Sequence, residues 1–262
     1  MKNTALVSLC VVALAVAACG GGNDDDNNTP TNPAPIPAPQ TCGNLGGTAI
    51  LNGAACSADT SSIVLLNMRA SDGVQLGACT GTMITKRKIL TAAHCLDQGV
   101  GIVRVWLGSG PEIAAQSFVH YPGYVFNQSG FDVGVVFMAD DLPRNAVPVL
   151  LSRDARVGET AIIAGWGRDQ NNETATLRSG STTISTVGNL LQTPYAPPSS
   201  SVCQGDSGGP IMVQEGSAWT IAGITSATSN NVCNTGTNFY QAVRQPDVTN
   251  FIRQHAPDAA QR

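Results

Sequence analysis

The feature that most narrows the fold is a succession of short β-type runs with turn residues between nearly all of them. They lie at residues 62–66, 82–85, 88–91, 101–107, 133–137, 160–164, 182–185, 211–213, 219–225 and 239–243. Short apolar and β-branched runs at this spacing indicate an all-β sandwich or barrel, because each must pair with neighbours to bury a face. The one helix the pattern predicts is terminal, at 245–254. Pro246 and Asp247 stand at its start, and Val248, Phe251 and Ile252 fall on one face. Apolar residues make up 42% of the 262 and charged residues 12%, so a core is amply supplied. The net charge of −4 argues against a nucleic-acid partner, which would require a basic face.

The amino-terminal stretch is of another kind. Lys2 precedes an almost unbroken small-apolar run at 5–18, the pattern of a signal peptide and too short to span a bilayer with margin. It ends Val16-Ala17-Ala18-Cys19, followed by Gly20. An apolar residue, two small residues and a cysteine resemble the lipobox of bacterial lipoproteins. The resemblance implies removal of residues 1–18, lipidation of the Cys19 thiol and a lipid anchor in the cell envelope, on the periplasmic or surface face of the outer membrane. Ordinary secretion, cut after Ala17 or Ala18, is the alternative. Residues 19–49 pass from a Gly- and Asp-rich stretch into prolines alternating with small residues. Such a segment is flexible, then extended, and reads as a tether or propeptide ahead of a domain at 50–262.

Setting aside Cys10 and Cys19 leaves six of the eight cysteines: Cys42, Cys56, Cys79, Cys95, Cys203 and Cys233. An even number in an exported chain, with no C-x-x-C spacing, predicts three disulfides, for which sequence alone permits about 15 connectivities.

The chemistry centres on Cys203-Gln204-Gly205-Asp206-Ser207-Gly208-Gly209-Pro210. A serine between glycines can present its hydroxyl on a tight turn, with the N–H groups of Gly205 and Ser207 aimed at one point as an oxyanion hole. The hydroxyl needs a base and the base needs a carboxylate. Of three histidines, His94 follows Thr91-Ala92-Ala93 at the end of a strand-like run and beside Cys95. Asp132 heads the apolar run Val133-Gly134-Val135-Val136, where burial would demand an imidazole-like partner. The serine turn of esterases and lipases leads into a helix, whereas here Pro210 opens a strand.

Thr91-Ala92-Ala93-His94-Cys95, then Asp132, then Gly205-Asp206-Ser207-Gly208-Gly209-Pro210 resemble the trypsin-like (chymotrypsin-fold) serine peptidases, in that family's order of His, Asp and Ser. Ile50-Leu51-Asn52-Gly53 resembles its mature amino terminus, Val119-His120-Tyr121-Pro122-Gly123-Tyr124 its approach to the aspartate, and Ala164-Gly165-Trp166-Gly167 the start of its second half. The resemblance covers 50–255. It implies two six-stranded antiparallel β-barrels with a C-terminal helix and a site in the cleft between them. His94 would act as base and then acid, Asp132 would orient it, and Ser207 would attack a peptide carbonyl. Ser226 would stand behind the three, and the backbone at 226–228 would pair with an extended polypeptide substrate. The same resemblance implies Cys79–Cys95 beside the histidine and Cys203–Cys233 beside the specificity pocket, leaving Cys42 with Cys56.

By the same resemblance, Ser201 lies at the base of the primary pocket and Thr228 and Asn238 form its walls. No charge stands there, so small or medium uncharged side chains are expected before the cut, and Arg or Lys is not. Asp206 would receive the amino group of Ile50 after cleavage behind Ala49. No Lys or Arg occurs between Cys19 and Met68, so a trypsin-type activator could not make that cut. No metal or other cofactor is called for: the 107–116 loop holds one carboxylate, Glu112, too few for calcium. The chain is expected to work as a monomer. A non-catalytic binding protein on the same fold is the competing reading, kept open by the activation step.

Overall fold

The structure, a computed structural model, describes residues 54–55, 58–97, 99–169, 171–230 and 232–262. Its first strand, β1 (Ala54–Ala55), belongs to the second of two antiparallel sheets.

The first sheet is made of β2 (Ile63–Arg69), β3 (Gln75–Met83), β4 (Lys88–Thr91), β5 (Ile102–Trp106), β6 (Ile113–Ala114), β7 (Ser117–His120) and β8 (Gly134–Phe137). Their order is β6-β5-β2-β3-β4-β8-β7. β6 and β7 are halves of one bent run. Ala115 N still donates to Val103 O at 3.0 Å, and Gln116 N already donates to Phe137 O at 2.8 Å. The run thus passes from one edge of the sheet to the other and curls it round. The expected six strands are present, one of them in two pieces.

The second sheet is made of β9 (Thr160–Gly165), β10 (Arg178–Thr183), β11 (Leu190–Pro194), β12 (Pro210–Glu215), β13 (Ala218–Thr228) and β14 (Thr237–Ala242), with β1 added outside β10. Ser185 N donates to Gln192 O and Gln192 N to Thr186 O, so the run leaving β10 turns back onto β11 and curls this sheet too. Its six long strands and the extra β1 account for the seven positions in its order.

One helix, α1 (Pro246–His255), ends the chain's regular structure. The Gln245 side chain caps it by accepting from the N–H groups of Asp247 and Val248, and Val248, Phe251 and Ile252 are buried. Among the described residues no helix is long and apolar enough to cross a membrane.

Two apolar cores result. One fills the first barrel with Val64, Leu66, Ile89, Val105 and Val135, and spreads over Met212, Ile221 and Phe251. The other lies inside the second barrel, with Ile163, Ile211, Val213, Ala222 and Tyr240. The sequence reading needs correction at several strands. The run at 82–85 is the tail of a longer strand starting at Gln75, β10 covers Arg178–Thr183 rather than 182–185, and β7 and β11 were not anticipated at all.

Candidate active site

His94 sits in a single 3-10 turn, Ala93–Cys95, directly after β4. The turn is fastened by the Cys79–Cys95 disulfide to β3, with Cα atoms 6.2 Å apart. Asp132 precedes β8, which pairs with β4, so both residues emerge from the same end of adjacent strands. The carboxylate is buried, at 6% exposure, and fully occupied. Its Oδ1 accepts from His94 N at 2.9 Å, and its Oδ2 faces His94 Nδ1 at 2.8 Å and accepts from Ser226 Oγ at 2.6 Å. A carboxylate at Nδ1 fixes the proton there and leaves Nε2 of the neutral ring as an acceptor. Ser226 can turn its hydroxyl inward because the β13–β14 register shifts between Thr225 and Ala227.

Ser207 lies in the turn before β12 and shares a cleft of about 510 Å³ with His94, Gln204, Ser226 and Thr228. Its hydroxyl makes no hydrogen bond to the His94 ring among the described contacts; such bonds commonly tighten only when substrate is bound. The turn itself is held from three sides. Thr80, on β3, donates from its Oγ1 to Gly205 O and from its N–H to Ser207 O, both at 2.8 Å. Asp206 accepts from Gly167 N and Cys203 N, both at 2.8 Å. Gly208 N donates to Thr225 O at 2.8 Å. With both carbonyls tied back, the N–H groups of Gly205 and Ser207 have no acceptor among the described residues. Only glycine fits at 208, where φ is +80° and a Cβ would lie 2.1 Å from Thr91 Oγ1.

A hydroxyl, an imidazole oriented by a buried carboxylate and two unspent N–H donors in one cleft are the parts that nucleophilic acyl transfer requires. The family model described as Trypsin matches residues 50–252. The chain belongs to the trypsin family. Relatives include a chymotrypsin of Phaedon cochleariae, 30% identical over 73% of this chain and 77% of the relative. The chymotrypsin-like elastase family member 1 of Macaca fascicularis is 28% identical over 63% of this chain and 73% of its own. A trypsin of Simulium vittatum is 25% identical over 63% of this chain and 80% of its own.

In this trypsin-family chain two of the expected pocket residues are buried. Ser201 and Asn238 are each 1% exposed and do not line the cleft. Ser201 Oγ donates to Asn238 Oδ1 at 3.0 Å, Asn238 Nδ2 donates to Thr193 Oγ1 at 3.1 Å, and Thr193 meets Tyr240 OH at 3.2 Å. Asn238 stands opposite Thr228, a cleft residue, in the β13–β14 register, so this buried chain of bonds lies behind the cleft wall. Thr228 is at the cleft wall, and the Cys203–Cys233 disulfide braces the wall opposite.

Asp206 has no exposure at all, and burial pushes its carboxyl up to about 8; the N–H groups of Cys203 and Gly167 and the field of Arg178 pull the other way without prevailing. Ile50, Cys19, and the Cys42–Cys56 pair lie outside the described residues. Glu112 is engaged by Arg69 Nη2 at 3.3 Å and Asn67 Nδ2 at 2.6 Å. The Cys79, His94 and Cys95 side chains come close enough to suggest a metal cluster, but both sulfurs are spent in the disulfide.

Three contributors escaped the sequence reading. Thr80 was hidden in a run of small residues. Gln241, 3% exposed, accepts from Asp132 N at 3.1 Å and donates to Asn189 O. Tyr124 stands near enough to Asp132 that burial and that carboxylate together raise its phenol well above the ordinary range. Only the position of Gln241 in β14, facing the joint between sheets, gives it a role, and no motif marks it.

Proposed function

We propose that the protein is a serine endopeptidase that cuts extended polypeptides through an acyl-enzyme. Ser207 Oγ attacks the peptide carbonyl while His94 Nε2 takes its proton, with Asp132 holding the imidazolium that forms. The oxyanion is met by the N–H groups of Gly205 and Ser207, where one such donor is typically worth about 3 kcal/mol of barrier. His94 then returns the proton to the departing amine. It next takes a proton from water as the water attacks the ester, and Ser207 is restored.

Substrate recognition rests on β13. Its ladder with β12 ends at Ile224, whereas its pairing with β14 continues to Thr228, so one edge at 226–228 faces the cleft unpaired. An extended substrate can add there as a strand, with its side chain before the cut directed at the pocket under Thr228. No charge lines that pocket, and the uncharged Asn238 and Ser201 are buried behind its wall, which favours small or medium uncharged side chains. The apolar run at 5–18 and Cys19 support export and lipid anchoring of the domain at 50–262 through the 19–49 tether.

The observation that carries the reading is the His94 Nδ1 contact with buried Asp132 at 2.8 Å, in the cleft that also holds Ser207. A fluorophosphonate probe should label the protein on Ser207 and fail to label Ser207→Ala. Equal labelling of both, or of neither, would show that the cleft is not a nucleophilic site.

A further inference from the structure

A second cleft, about 390 Å³, lies on the far side of the turn that carries Ser207. It shares Gln204 with the first cleft and reaches Gly205; its other walls include Asn67, Gln75, Trp166 and Arg168. If the acyl half of a substrate pairs with 226–228, the half that leaves must cross Ser207 and run past Gly205 into this space.

The charge here is set by Arg168, which is the one ionisable residue on the walls. Its neighbourhood is built. Arg168 N donates to Gln204 O at 2.9 Å, which pins its backbone beside the turn. Its Nη1 donates to Asn172 Oδ1 at 3.1 Å, which orients the guanidinium and leaves the remaining donors of the fork free. The loop that supplies Asn172 is braced by buried Asp169. That carboxylate accepts from Asn171 N at 2.8 Å and Glu173 N at 2.9 Å and pairs with Arg178 at 2.5 Å. Two nearby carboxylates are engaged, Asp169 by Arg178 and Glu112, behind Asn67, by Arg69, while Glu173 of the same loop is exposed to solvent. Arg168 itself forms no ion pair among the described residues, so the cleft is left with one oriented, unneutralised cation.

We infer that this cleft is a leaving-side subsite that selects polypeptides with an acidic side chain just after the scissile bond. The inference rests on the peptidase reading above and deepens it: the substrate is uncharged before the cut and acidic after it. A guanidinium fork receives a carboxylate in two-point fashion, and a lysine placed there is repelled.

The test uses peptides that share one acyl-side sequence and carry Glu, Gln or Lys at the first or the second position after the cut. For the natural chain, kcat/KM should favour Glu over Lys by about fivefold at one of those positions, the scale of an ion pair at a solvent rim. The ratio should shrink toward one at high salt. Arg168→Gln should bring it to one, and Arg168→Glu should invert it, with the active fraction of each variant counted by fluorophosphonate labelling. A Glu preference that survives Arg168→Gln, or no preference in the natural chain, overturns the subsite while leaving the peptidase intact. Failure of labelling and of cleavage for every peptide overturns the peptidase reading itself, and the subsite with it.

Discussion

Thr80 shows how much of a site can hang on one side chain that does no chemistry. It is wholly buried, and its hydroxyl both donates to Gly205 O and accepts from Trp166 N at 3.0 Å. Thr80→Val keeps the shape and deletes both bonds, orphaning the buried Trp166 N–H at a cost of about 1–3 kcal/mol and freeing the part-buried Gly205 carbonyl. Denaturant unfolding should register that loss. Because Gly205 O is then free to rotate, its N–H loses its aim, and kcat should fall by about tenfold to a hundredfold with little change in KM. Thr80→Ser, which keeps the hydroxyl, should recover most of kcat; a valine variant with unchanged kcat would show the turn to be held without it. Asn238 works at the same scale on specificity. Asn238→Gly removes the side chain that backs the cleft wall at Thr228, so a peptide library should shift toward larger uncharged side chains before the cut. A library profile unchanged by that substitution would mean that the size limit is set elsewhere.

The strands show what could and could not be read from the sequence. β2, β4, β5, β8, β9 and β13 carry Val, Ile and Leu at buried positions and were legible from those residues alone. β3 was not, since Gly77, Ala78 and Gly81 stand where larger apolar residues would have signalled a strand. The structure supplies the reason at Gly81, where a Cβ would lie 2.5 Å from Ile89 and 3.1 Å from Leu66: the close approach of β2 and β4 excludes a side chain. β10 is polar along its whole length, Arg-Ser-Gly-Ser-Thr-Thr, and is a strand because β9 and β1 flank it, a tertiary cause that no local pattern encodes. His94 was legible because the chain has only three histidines, and Asp132 and Ser207 because they stand in telling contexts; Gln241 and Thr80 were not, because hydrogen-bonding from a strand leaves no motif. At the element scale the Cys79–Cys95 bridge ties β3 to the turn bearing His94 across 16 residues. Replacing both cysteines by serine should lower stability by about 3 kcal/mol, as loop closure of that length predicts, and lower kcat further as the histidine turn loosens. Differential scanning calorimetry and initial rates on the same preparation separate the two effects, and no loss in either would make the bridge dispensable.

Over the whole molecule, the buried carboxyl of Asp206 is the group for which a partner from the amino-terminal segment would matter most. Its folded carboxyl is pushed up to about 8, against about 3.9 for an unfolded aspartate, chiefly because it is fully buried. The sign follows from linkage. A folded state that holds the proton more tightly has its full stability below about pH 3.9 and loses it steadily as pH rises toward about 8. Burial thus makes an ionised Asp206 a liability at neutral pH unless a cation joins it. The chain has no Lys or Arg between Cys19 and Met68, and a free amino group on Ile50 is the cation that cleavage after Ala49 would release. Its arrival would lower the carboxyl's pKa and raise the amine's, so the pair would stabilise the fold from above about pH 4 until the amine deprotonates, above its usual value of about 8. Two forms of the protein should therefore respond to pH with opposite sign. The chain beginning at Cys19 should show a falling Tm between about pH 5 and pH 8, and the chain beginning at Ile50 a flat or rising one. Asp206→Asn should flatten the slope of the longer form. Mass spectrometry of fluorophosphonate-labelled enzyme should find Ile50 as a free terminus. Parallel Tm profiles for the two forms, or full activity of an intact chain beginning at Cys19, would mean that the two N–H groups of Gly167 and Cys203 suffice for Asp206 and that the turn needs no partner from the amino-terminal segment.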